Sequence, residues 1–282
     1  VLKDSHGAKF RLKGGSTHGI AWFPQYVNKD AFQTLRDNYG INTIRLAMYT
    51  NKSEGYGPDA VNKVREGVKY ATELGMYVII DWHILNDGNP NQHKSEAKKF
   101  FTKMSKKYGG QKNVIYEICN EPNGNVTWNK QIKPYAKTIV KTIRKHSKNA
   151  VIVIGTPTWS QDVDVVAQSP LKGKNLMYAL HFYAGTHKEW NQEKLKTAHK
   201  KGLPVMVTEF SICDASGNGA LDKASGNQWL RLLDRYNISY TAWSLCNKNE
   251  SSALIASTCS KTSGWTNGDL SAAGKWYFNK TK

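Results

Sequence analysis

The chain has 282 residues, 39% hydrophobic and 11% aromatic, enough to bury a large core and to exclude intrinsic disorder. It has no apolar run of about 18 residues, which excludes a membrane-spanning helix. Forty Lys and Arg against 22 Asp and Glu give a formal net charge of +18, a balance that suits nucleic acid, acidic polysaccharide or a negative cell surface. The lysines, however, fall in helix-like stretches such as Lys98, Lys99, Lys103, Lys106 and Lys107. They lack the interleaved aromatics of a base-stacking groove, and the pattern is that of solvated helix faces.

In chain order, short β-branched and apolar runs occur at 15–20, 43–48, 77–82, 114–119, 151–155, 177–182, 205–210 and 240–245. Near-continuous apolar runs of this length mark strands buried on both faces of a parallel sheet. Between them lie charge-rich amphipathic stretches at 29–39, 60–74, 95–108, 132–146, 188–201, 223–236 and 272–278, with a short, weakly patterned one at 163–168. Gly40, Gly75 and Gly202 follow helices where a left-handed residue is wanted. Eight strand–helix units with right-handed crossovers predict an α/β fold, a single-domain (β/α)8 barrel over residues 1–282. A doubly wound open sheet is the alternative, but no G-x-G-x-x-G turn follows the first strand.

None of the four cysteines forms a C-x-x-C pair. Cys119 ends an apolar run and reads as a buried hydrophobe, whereas Cys246 and Cys259 are close enough in the last loop region to pair in a secreted protein. Five N-x-S/T sequons begin at Asn51, Asn125, Asn237, Asn249 and Asn279. The start at Val1, with neither Met nor an apolar leader, reads as a mature or trimmed chain.

A barrel gathers chemistry at the C-terminal ends of its strands. Those ends carry His18, Arg45 with Tyr49, His83, Asn120 with Glu121, His181 with Tyr183, Glu209 and Trp243. Two carboxylates brought together across a barrel mouth suit glycosidic bond cleavage, one giving a proton and the other meeting the anomeric carbon. A divalent-metal site is the other use of such a pair; it would want more carboxylates or a His-x-His arrangement, and the first strand offers only His18-Gly19.

The segment Ile115-Tyr116-Glu117-Ile118-Cys119-Asn120-Glu121-Pro122 resembles the asparagine–glutamate–proline signature of glycoside hydrolase family 5. Residues Asp81 to Pro90 are similar to the third-strand segment of that family's bacterial-type endo-β-1,4-glucanases. Ile44-Arg45-Leu46, His181-Phe182-Tyr183, Thr208-Glu209-Phe210 and Ala242-Trp243-Ser244 match further family positions in order. The resemblance implies a retaining, secreted cellulase that acts as a monomer on β-1,4-glucan, without metal or cofactor, nucleic acid or membrane. It implies Glu121 as acid/base, Glu209 as nucleophile and Asn120 as the contact to the sugar 2-hydroxyl. Arg45 and Tyr183 would hold Glu209 ionised, His83 and His181 would position the acid/base and substrate hydroxyls, and Trp243 would be a sugar platform. His18, Trp22, Tyr49, Trp159, Lys248 and Glu250 would line the cleft. Mannan- or xyloglucan-cleaving activity of the same barrel, loss of catalysis in a sugar-binding protein, and nucleic-acid binding are the competing readings; both glutamates needed for catalysis are present.

Overall fold

The computed structural model describes residues 1–4 and 6–282. Strands β1 (Lys13–Thr17), β2 (Thr43–Tyr49), β3 (Tyr77–His83), β4 (Val114–Glu117), β5 (Ile152–Ile154), β6 (Leu176–Tyr183), β7 (Val205–Ser211) and β8 (Tyr240–Leu245) pair in parallel. The last pairs with the first, closing a barrel in chain order. Helices α1 (Lys29–Tyr39), α2 (Pro58–Glu73), α3 (Lys94–Tyr108), α4 (Lys133–Arg144), α5 (Val163–Val166), α6 (Glu189–Lys200), α7 (Lys223–Arg235) and α8 (Ala272–Thr281) surround it.

Local sequence sets the helix ends. Asn28 accepts the Ala31 N–H at 2.7 Å to cap α1, Pro58 opens α2, and Asp222 and Ser271 cap α7 and α8. Gly40, Gly75 and Gly202 all have positive φ, as their positions after helices predicted. Gly155 is needed for a different reason. A Cβ there would lie 1.9 Å from the Cys119 carbonyl oxygen, so only glycine lets the end of β5 approach the loop that carries Glu121.

The first strand ends earlier than its apolar run, at Thr17 rather than Ile20. The chain turns there, with Trp22 and Phe23 N–H groups bonded to the Gly19 oxygen, and His18 leaves the ladder for the mouth. A two-residue ribbon, Leu2–Lys3 paired with Lys9–Phe10, is too short to leave a sequence pattern. The four cysteines are free: Cys246 Sγ neighbours the Ser244 hydroxyl and Cys259 Sγ faces Asp269, so the pairing left open by the sequence is not made.

Strand alternation sorts side chains into layers. Outward residues such as Val78, Ile80 and Trp82 pack against the helices. Inward, Ile79, Ile115, Val153, Met177 and Met206 fill the lower barrel. Above them lie Arg45, Asp81, Glu117 and Thr208, and the mouth is walled by Tyr49, Tyr183 and Trp243. One irregularity matters for function. Ala179 pairs with Met206, yet His181 pairs with Glu209, and the β8 side shows the same extra residue, so β7 carries a bulge. Strict alternation would send Thr208 inward and Glu209 outward. With the bulge both face the interior, and Phe210 turns out into the core.

Candidate active site

The strand ends enclose a cleft of about 610 Å³. It is lined by Glu121, Glu209, His181, Tyr183 and Trp243, and by His18, Trp22, Tyr49, Trp159, Lys248 and Glu250. Arg45, His83 and Asn120 gather at the same place, but they support this lining from beneath rather than forming it. Arg45 and Asn120 are fully buried, and His83 is held between Asp81 (Nδ1 to Oδ2, 2.6 Å) and the face of Trp243, with ring planes 15° apart.

Glu121 sits at one end of a hydrogen-bonded chain. Its Oε1 lies 2.8 Å from His181 Nδ1, His181 Nε2 lies 2.8 Å from Thr208 Oγ1, and Thr208 donates its hydroxyl proton to Glu117 Oε1 at 2.6 Å. The single Thr208 proton is used on Glu117, so Oγ1 accepts from His181 and Nε2 carries a proton. Any second ring proton is therefore on Nδ1, facing Glu121. Burial would lower the His181 pKa, but its links to Glu117 and Glu121 and the charge of Glu209 raise it to about 9. Burial and the Glu209 charge push Glu121 up to about 7, against the opposing pull of His181.

Glu209 is held at both oxygens: Tyr183 Oη donates to Oε1 at 2.6 Å and Arg45 Nη1 to Oε2 at 3.0 Å. Burial disfavours its charged form, yet His181, Arg45 and the Tyr183 hydroxyl outweigh this and keep its carboxyl below the usual range. The same guanidinium binds Glu117 through Nε at 2.7 Å and Asn120 Oδ1 through Nη2 at 2.6 Å, and it pairs with Asp81 at 3.0 Å. Burial opposes ionisation of Glu117 as well, but Arg45 and His181 bring it down to about 2. Asp81, in contrast, is driven well above the usual range by burial and by the surrounding carboxylates.

Single carboxylate oxygens of Glu121 and Glu209, with a His181 nitrogen, lie within 4.8 Å of one another. Three such donors could in principle grip a cation. Here His181 Nδ1 is engaged with Glu121 and an arginine already neutralises Glu209, so the charge balance favours two carboxylates in different protonation states over a divalent ion.

The rim is aromatic. Trp22 and Trp159 are 47% and 46% exposed, unusual for indoles, and they follow β1 and β5, which stand opposite in the closed order. Thr158, Trp159 and Ser160 have φ of 57°, 53° and 57°, left-handed conformations that cost L-residues about 1–2 kcal/mol each. This turn is fastened to the Glu121 loop, since Trp159 N–H donates to the Pro122 oxygen at 3.0 Å and Ser160 Oγ to the Asn120 oxygen at 2.6 Å. His18 accepts the Gly19 N–H on Nδ1 and is lowered to about 3 by burial and Lys248, so it offers Nε2–H on the Glu250 side of the cleft. Lys248 pairs with Glu250 at 2.7 Å.

Sequence reasoning assigned no role to Glu117, Asp81 or Thr208. The available signal was a charge within an apolar strand, as in Val114-Ile115-Tyr116-Glu117. Gln161, His187 and the loop at Ala215, Ser216 and Gly217 also line the cleft and carried no motif, and Leu85, within the third-strand segment, lines it without having been given a role. His187 Nδ1 accepts the Tyr183 N–H at 2.8 Å and so fixes the strand end that bears Tyr183.

A parallel barrel with a carboxylate pair in unlike protonation states beneath an aromatic cleft defines the acid/base glycoside hydrolase class. The chain belongs to the cellulase family, glycosyl hydrolase family 5, whose model matches residues 3–249. It is 49% identical over 276 residues to an endoglucanase of Clostridium saccharobutylicum, covering 97% of this chain and 61% of that protein. It is 47% identical over 277 residues to endoglucanase 5 of Pectobacterium carotovorum subsp. carotovorum, covering 98% and 55%. The chain thus spans little more than half the length of these relatives. Among solved structures, the catalytic domain of Thermobifida fusca endoglucanase Cel5A in complex with cellotetraose superposes with a TM-score of 0.93 at 33% identity, covering 99% of this chain and 93% of that one.

Proposed function

We propose that this chain is a retaining endo-β-1,4-glucanase that cleaves internal bonds of cellulose and soluble β-glucans by double displacement. The observation that carries the reading is the separation of at most 4.8 Å between oxygens of Glu121 and Glu209. Inverting enzymes hold their carboxyls about 6.5–9.5 Å apart to admit water between carboxylate and sugar, whereas retaining enzymes keep them at about 5–5.5 Å.

In the first step Glu209, ionised and pinned by Arg45 and Tyr183, attacks the anomeric carbon while Glu121 protonates the departing glycosidic oxygen. The His181 imidazolium then stabilises the carboxylate that Glu121 becomes. In the second step Glu121 takes a proton from water, the water attacks the glycosyl ester, and Glu209 is released with the β-configuration retained. Trp243 carries the sugar at the point of cleavage, while Asn120, buried and bonded to Arg45 and the Ile84 oxygen, positions the Glu121 loop from beneath rather than meeting the 2-hydroxyl. Trp22 and Trp159 stack glucose rings on either side, their faces matching the apolar faces of the sugar. His18, Tyr49, Lys248 and Glu250 bond ring hydroxyls. Action as a monomer is part of this reading, and a polymeric substrate too large to enter a cell supports action outside it. No helix among the described residues is long and apolar enough to cross a membrane.

The test is the viscosity of hydroxyethylcellulose followed alongside reducing-end release, with EDTA present. An endo-acting enzyme drops the viscosity steeply before many ends appear. Glu121→Gln and Glu209→Gln should each lose at least about 1000-fold in rate. Near-normal turnover by either folded variant would contradict its assigned role.

A further inference from the structure

A cleft for an uncharged sugar chain gives the +18 charge nothing to do, and the charge is unevenly spread. Residues 94–148, which span α3 and α4, hold thirteen lysines and one arginine against three glutamates, a net of +11. Two of those acids, Glu117 and Glu121, are inside the barrel, which leaves Glu96 as the one acid on the segment's outer surface. The two helices pack side by side and bury their apolar residues, Phe101 and Met104 on α3, Ala136 and Ile139 on α4. Their lysines face solvent. Among the described residues, all lysine ion pairs are made by lysines outside this segment. Lys133 reaches the Ser169 oxygen at 2.7 Å, whereas Lys103, Lys106, Lys137, Lys141 and Lys145 are exposed. On α4, Lys133, Lys137 and Lys141 follow each other at i,i+4, where like charges repel along one helix face.

The chemistry of the face narrows its partner. Its one arginine is turned onto the Ser147, Ala150 and Lys174 carbonyls, so no guanidinium fork is offered to phosphate. The segment's large aromatics, such as Trp128 and Tyr135, are buried and cannot stack on bases. It exposes no large apolar residue to enter a membrane. What it presents is an array of ammonium point charges along helices, α3 alone being about 22 Å long at 1.5 Å per residue. Such an array fits an extended chain with repeating single charges. The helices start at the mouth and run down the flank, so a chain bound there leaves the cleft open.

We infer that the α3–α4 face docks the enzyme onto a polysaccharide that carries carboxylates, bound as an extended polyanion beside the catalytic cleft. This goes beyond the proposed cleavage, and the test reads binding alone, so failure of either leaves the other standing.

The experiment is native affinity electrophoresis of the 282-residue chain through gels containing polygalacturonate or neutral hydroxyethylcellulose. A mobility shift on double-stranded DNA is run at the same charge concentration, and all arms use two ionic strengths. One variant carries Lys103→Gln, Lys106→Gln, Lys137→Gln, Lys141→Gln and Lys145→Gln. A control loses the same charge elsewhere, through Lys9→Gln, Lys172→Gln, Lys200→Gln, Lys223→Gln and Lys280→Gln, all exposed positions. The wild type and the control should be retarded by polygalacturonate in a salt-dependent way, and the α3–α4 variant should bind about tenfold or more weakly. Retardation by hydroxyethylcellulose should be the same in all three. Equal loss in the control would reduce the effect to net charge and overturn the proposal. So would an unretarded wild type, or DNA bound more tightly than polygalacturonate.

Discussion

Replacing Glu117 by Gln removes one buried negative charge while keeping the side chain's size. Its Oε1 lies 3.7 Å from His181 Nε2, and its carboxylate holds Arg45 at 2.7 Å and Thr208 at 2.6 Å. Unit charges 3.7 Å apart interact by roughly 4–5 kcal/mol at an effective dielectric constant near 20. At about 1.4 kcal/mol per pKa unit that is an upper bound near three units, and relaxation of the site brings the expected change to about one to three. The sign is fixed. Losing a nearby anion makes protonated His181 and Glu121 easier to deprotonate, so the alkaline limb of kcat/KM moves to lower pH. The acidic limb, set by Glu209, moves the same way, because ionising Glu209 no longer meets a like charge on Glu117. The assay is kcat/KM against pH on a soluble chromogenic cello-oligosaccharide. Unfolding is monitored by circular dichroism, since breaking a buried pair costs about 3–5 kcal/mol of stability. Thr208→Val separates charge from geometry: it cuts the hydroxyl relay without changing charge and should move the alkaline limb alone, by about one to two units. A folded Glu117→Gln enzyme that loses rate with both limbs unmoved would refute the coupling.

Tyr183→Phe removes the 2.6 Å hydrogen bond to Glu209 and should raise the acidic limb by about one to two units, with the alkaline limb unmoved. Wild-type activity should fall as pH rises past about 7, where Glu121 loses the proton it must donate, and its acidic limb should lie below the ordinary carboxylate range because Glu209 is held ionised. A pH profile without an alkaline limb in that region would contradict the acid's assignment. Trp159→Ala should raise KM for long chains about tenfold with little change in kcat. Ser160→Ala, which frees the turn from the Asn120 oxygen, should show a milder form of the same split.

Most of the barrel was legible because buried parallel strands are apolar runs of predictable length, and β8 fell at its expected residues. Glu121, His181 and Trp243 were legible for the same reason: each is a polar or bulky interruption at the end of such a run. Glu209 was picked out from its strand end even though simple alternation points it outward, and the structure places it in the cleft. The bulge that turns it inward depends on three strands pairing at once and leaves no local mark. Glu117 and Asp81 escaped because each looks like a stray charge until Arg45 is placed between them. The left-handed run at Thr158, Trp159 and Ser160 was likewise hidden, since none of its residues is glycine. Cys246 and Cys259 were a question the sequence left open, since closeness along the chain does not fix where thiols point, and in the fold both are free.

The central claim is that Glu121 and Glu209, within 4.8 Å at their nearest paired oxygens, work by double displacement. The most direct measurement is the anomeric configuration of the first reducing ends released from a cello-oligosaccharide, followed by proton NMR before mutarotation. β-Anomer should appear first, with α-anomer growing in later. α-Anomer first would mean direct attack by water and would contradict the assignment of Glu209 as nucleophile.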